Sequence, residues 1–109
     1  MQDIYLALRE NLDSLKNVIK KRLDISTARA RAEYAYRSAL GREMAYEKAN
    51  GMAATSLYEY CRGKDTIAEL RSQRDILMAQ EEYLTELIYY YRAEIRIAEG
   101  MANAERKGL

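Results

Sequence analysis

With 109 residues and a formal net charge of +1, the chain has room for one domain and no charge excess that would by itself steer it to nucleic acid or a membrane surface. Histidine is absent, which removes the usual general base, proton shuttle and commonest transition-metal ligand. The lone cysteine, Cys61, excludes an internal disulfide and fits a reducing cytoplasm. The Met1-Gln2-Asp3-Ile4 start lacks the basic-then-apolar pattern of a signal peptide, and no apolar run reaches membrane-span length, so no membrane partner is expected.

Proline is absent too, and only Gly41, Gly51, Gly63, Gly100 and Gly108 could interrupt a composition dominated by good helix formers. The first helix is expected over about residues 3–50. Asp3 is its expected cap, and Ile4, Leu8, Leu12, Leu15, Ile19 and Leu23 recur at helical spacing, with Leu6 and Val18 widening the stripe. A bend is conceivable near Ser26, where Asp, Ser and Thr compete for backbone bonds, but nothing enforces one. Asn50-Gly51 reads as the stop.

A short helix over about 55–62 follows, capped by Thr55, carrying Leu57, Tyr58 and Cys61 and closed by Gly63. The last helix is expected over about 66–106, opened by a capping box of Thr66 and Glu69. Its stripe is the most regular in the chain: Ile67, Leu70, Arg74, Leu77, Glu81, Leu84, Ile88, Tyr91, Ile95, Ala98, Ala102. No helix of that length hides such a stripe alone. The expected fold is all-α, one domain over residues 1–109, a long antiparallel helical hairpin with a short connecting helix. A homodimer completing a helical bundle or coiled coil would cover the surface that so small a chain leaves open.

Ala32-Glu33-Tyr34-Ala35-Tyr36-Arg37-Ser38-Ala39-Leu40, Ala49-Asn50-Gly51-Met52-Ala53-Ala54-Thr55, Arg62-Gly63 and Ile67-Ala68-Glu69-Leu70-Arg71-Ser72-Gln73-Arg74-Asp75 together resemble a family of small helical proteins from phages and prophages of Gram-positive bacteria. The turn sequences agree as well as the helix stripe, although Met52 stands where the family often has proline. The resemblance implies a phage-encoded cytoplasmic accessory protein, encoded among replication and recombination genes, with no known active site to carry over.

The residues themselves offer little chemistry. Cys61 has no histidine to activate it; beside Arg62 near a helix end its pKa could fall modestly, but a buried structural thiol is the simpler reading. Glu81-Glu82-Tyr83-Leu84-Thr85-Glu86 approaches the Glu-Glu-x-x-Glu of magnesium-dependent pyrophosphohydrolases, yet is one residue out of step and lacks the companion Glu-x-x-Asp. No Glu-x-x-His, phosphate loop or nucleophile elbow is present, so no catalytic, cofactor or metal site is expected.

Arg74 and Glu81 occupy seam positions suited to leucine, where they would be buried and paired or would mark a docking point. Tyr89, Tyr90 and Tyr91 cannot share one face, and exposed tyrosines beside Arg92 and Arg96 suit a protein interface. The expected function is therefore a non-catalytic interaction protein that binds a host or phage protein, for instance to inhibit a host enzyme or defence system. Its candidate contacts are Arg71, Arg74, Asp75, Tyr89, Tyr90, Arg92 and Arg96. The alternative is a nucleic-acid-binding accessory factor using the basic band of Lys16, Lys20, Lys21, Arg22, Arg29 and Arg31. The simpler expectation for that band is compensation within the chain by Glu81, Glu82, Glu86, Glu94 and Glu99.

Overall fold

A computed structural model describes residues 2–108, and the described chain is helical but for two short turns and its last two residues, Lys107 and Gly108. Helix α1 spans Gln2–Ala49, α2 spans Ala54–Arg62 and α3 spans Asp65–Arg106. The architecture is the expected all-α hairpin with a short connecting helix. Helix α1 runs unbroken past Ser26, as the absence of glycine or proline there requires. No described helix is long and apolar enough to cross a membrane.

Helix α1 ends where the sequence says it must. Gly51 sits at φ 93°, its N–H bonds the Lys48 carbonyl, and the Met52 N–H bonds the Glu47 carbonyl, both at 3.1 Å. This is a Schellman closure, which needs a residue free to turn left-handed. Gly63 differs: at φ −84° it keeps a right-handed conformation, so its glycine is not a conformational requirement.

The three expected caps shift. Asp3 lies inside the first turn of α1, Ala53 rather than Thr55 precedes α2, and Asp65 begins α3 ahead of Thr66. Helix α2 begins one residue ahead of Thr55 and α3 one residue ahead of Thr66. Ala53 supplies only the extended backbone an N-cap needs, with no side-chain bond.

The chain divides into two compact units. The connector unit, Ile25–Gln80, is a three-helix cluster. Its core is Tyr36 and Leu40 from α1, Leu57 and Cys61 from α2, and Ile67 from α3, ringed by Ala39, Met44, Met52 and Leu70. Lys64, on the turn between α2 and α3, donates to both Glu43 and Glu47, which pins that turn to the end of α1.

The terminal unit joins α1 up to Asp24 with α3 from Glu81. The two helices run antiparallel, and Arg22 Nε donates to Thr85 Oγ1 at 2.8 Å. Its buried residues, Leu84, Ile88, Ile95 and Ala98, all come from α3. On α1 the inward face is Ile4, Leu8, Asn11, Leu15, Val18 and Arg22, all half-buried. Leu6, Leu12, Ile19 and Leu23, expected in the stripe, are exposed. A single partner helix covers one side of so broad a stripe and leaves the other open.

Candidate functional site

Among the described residues Lys16, Lys20 and Lys21 make no ion pair with Glu82, Glu86, Glu94 or Glu99. The band also does not gather into one patch. Lys16 and Lys20 stand on the same side of α1 as Leu12 and Ile19, Lys21 on another, and Arg22 is spent on Thr85. In the connector unit Arg29 is half-buried and Arg31 exposed.

The partner-binding candidates separate into two places. Arg74 is a structural residue of the connector unit. Its guanidinium lies 4.7 Å from the Tyr36 ring centroid, and it donates to Glu33 at 3.2 Å and to Asp75 at 2.9 Å. Glu33 also accepts from Arg37 at 2.5 Å, and that bond, with the Arg74 charge, holds its carboxyl below the ordinary range. A hollow of about 390 Å³ beside this network is lined by Tyr36, Leu40, Tyr58 and Arg62 among others. Its cations have partners: Arg74 has Glu33 and Asp75, Arg37 has Glu33, and the Arg62 guanidinium lies 5.9 Å from the Tyr58 ring centroid. Arg71 is half-buried and Asp75 exposed.

Cys61 is sealed in the same unit with no exposed surface. Burial pushes its thiol up, and the nearby Glu43 and Glu47 charges push it further, so the neighbouring Arg62 does not activate it. Among the described residues no three carboxylates or thiols gather as a cation cage would require.

Tyr89, Arg92 and Arg96 converge in the terminal unit. With Leu12, Leu15 and Ile95 they line a groove of about 550 Å³ between α1 and α3. A second hollow, of about 290 Å³, is lined by Tyr5, Leu8, Glu99, Ala102, Asn103 and Arg106. Tyr5 and Leu8 precede Leu12 and Leu15 by one heptad, and Glu99, Ala102 and Asn103 follow Arg92, Ile95 and Arg96 by one heptad. Both hollows therefore open on the same side of the helix pair and continue one another. One heptad further along, the Arg22–Thr85 bond closes the groove floor. No family model, curated protein or solved structure matches this chain. The groove must be read from its own chemistry.

That chemistry is an apolar floor with basic rims. Leu8, Leu15 and Ile95 form the floor, Tyr5, Leu12 and Ile19 stand exposed along α1, and Arg92 and Arg96 flank α3. Sequence reasoning found the α3 half and missed the α1 half. The signal was available: Tyr5, Leu12 and Ile19 repeat every seven residues beside the Leu8–Leu15 row, one row more than a single partner helix can cover. Tyr90, the remaining candidate, lies elsewhere on α3, its ring edge-on to half-buried Tyr91 with centroids 5.2 Å apart.

Proposed function

We propose that the protein acts without catalysis, by binding other proteins through the groove of its terminal unit. The observation that carries the reading is the continuous apolar groove from Tyr5 to Leu15 on α1 and from Tyr89 to Arg106 on α3. A channel with an aliphatic floor and aromatic and arginine walls suits an amphipathic helix, whose apolar face it desolvates while the rims select its charge. The resemblance to small phage and prophage proteins supports placing that role in an infected bacterial cytoplasm, as an accessory factor or an inhibitor of a host enzyme or defence system. Self-association, which the sequence suggests as a homodimer and whose stoichiometry the groove's own charges must decide, is part of the same proposal, since exposed apolar rows on a small helical protein invite a second copy.

The test is comparative capture from host cytoplasm by the intact protein and by an Arg92→Glu/Arg96→Glu variant. Proteins retained by the first and lost by the second support the reading; identical captures overturn it. A titration with single- and double-stranded DNA at low and high salt runs beside it. Micromolar DNA binding that weakens steeply with salt and vanishes in a Lys16→Glu/Lys20→Glu variant would assign the basic side to nucleic acid instead.

A further inference from the structure

The outer side of α3 in the terminal unit is the chemical complement of the groove. Tyr83, Tyr90 and Ile97 repeat every seven residues, with Met101 one turn beyond Ile97, and all four are more than half exposed. Glu86 and Glu94 alternate along this row, three or four residues from its members, with Glu82 beside it. Glu82 and Glu86 are exposed and Glu94 half-exposed, and none of the three makes an ion pair among the described residues. Arg92 and Arg96 line the groove and Arg9 and Lys16 lie along its α1 side, all exposed and without ion pairs among the described residues, against two acids, Glu99 and Asp13. One chain thus presents an acidic amphipathic ridge and a basic apolar channel on different sides.

We infer that the groove's occupant is a second copy of this chain, whose α3 ridge, Tyr83 to Met101, seats in the channel between Tyr5 and Ile19. The lengths agree: the ridge covers about 27 Å and the α1 side of the channel about 21 Å at the helical rise. Charge decides the orientation. Groove against groove sets arginine and lysine facing arginine, and ridge against ridge sets glutamate facing glutamate, so both two-fold pairings place like charges together. Ridge into groove sets the ridge glutamates against a rim on which basic residues outnumber acidic ones. That contact is heterologous: each copy still offers a free groove and a free ridge, so assembly adds copies head to tail until a ring closes. The inference rests on the groove being a protein-binding surface and names what fills it.

Sedimentation velocity from low micromolar to several hundred micromolar protein, at low and high salt, tests it. The mass is expected to climb past a dimer with concentration and to fall as salt rises. Arg92→Glu/Arg96→Glu and Glu86→Arg/Glu94→Arg change only exposed or half-exposed side chains, and circular dichroism verifies their folding. Each variant alone is expected to sediment as a monomer. Mixing the two, or combining all four changes in one chain, is expected to restore the larger species. A wild-type mass that stays monomeric throughout overturns the inference, as does one that stops at a dimer or ignores either reversal. A monomeric protein that still loses captured partners through Arg92→Glu/Arg96→Glu would retire self-assembly and keep the protein-binding reading.

Discussion

The connector and terminal units use the same two long helices and reach different degrees of closure. In the connector unit α2 gives the stripes of α1 and α3 a third surface, and every helix contributes a buried side chain: Tyr36 and Leu40, Leu57 and Cys61, Ile67. In the terminal unit α1 has α3 alone to pack against among the described residues, and no described residue of α1 there is buried; Leu12, Ile19 and Leu23 remain 48%, 45% and 67% exposed. The difference shows what a nine-residue helix does. It converts two open amphipathic stripes into a core, and where it is missing the same kind of stripe stays available for another molecule.

The comparison is broken most directly by truncating one side chain in each unit. Ile67→Ala, at a site only 3% exposed, should cost about 3 kcal/mol in urea unfolding followed by circular dichroism. Leu15→Ala, on the half-buried face of α1, should cost about 1 kcal/mol under dilute conditions. Equal losses would mean that the terminal unit is as tightly closed as the connector unit.

A finer test asks how much of the connector unit depends on its turns. Gly51→Ala forces an alanine to φ 93° and should cost about 1 kcal/mol. At Gly63 an added methyl would meet the Glu59 carbonyl at an ordinary 3.5 Å. Gly63→Ala should therefore be neutral or stabilise by about 0.5 kcal/mol through the unfolded chain. The same denaturation curves read both.

The smallest effect concerns pH. Glu33 is held below its ordinary 4.5, first by the Arg37 bond and then by Arg74, so its contribution is present at neutral pH and fades as pH falls through the depressed value. Glu33→Gln should flatten the acid limb of the stability profile below about pH 4.5 and leave its slope unchanged above about pH 6. An acid limb of unchanged steepness in the variant would remove Glu33 from the account. The Arg37 side chain is 76% exposed, so much of its share should be screened by salt.

The hairpin was legible because periodicity and glycine speak directly: the α3 stripe from Ile67 to Ala102 is inward along its length, and Asn50-Gly51 ends α1. Caps were not, because Thr55 and Thr66 have the right chemistry at positions that the short turns place inside helices. The groove was half legible. Arginine and tyrosine on α3 advertise an interface, whereas Leu12 and Ile19 look like core residues until the number of helices available to cover them is known. Arg74 looked equally suited to a partner or to the fold, and only the placement of Glu33 and Tyr36 across from it decides for the fold.

The sealed thiol at the centre of the three-helix cluster has a practical consequence. Cys61 is the only sulfhydryl in the chain, so a thiol-specific reagent has one target and reaches it only when α2 lifts away from its neighbours. Its labelling rate would serve as a built-in clock for that opening, needing no introduced probe.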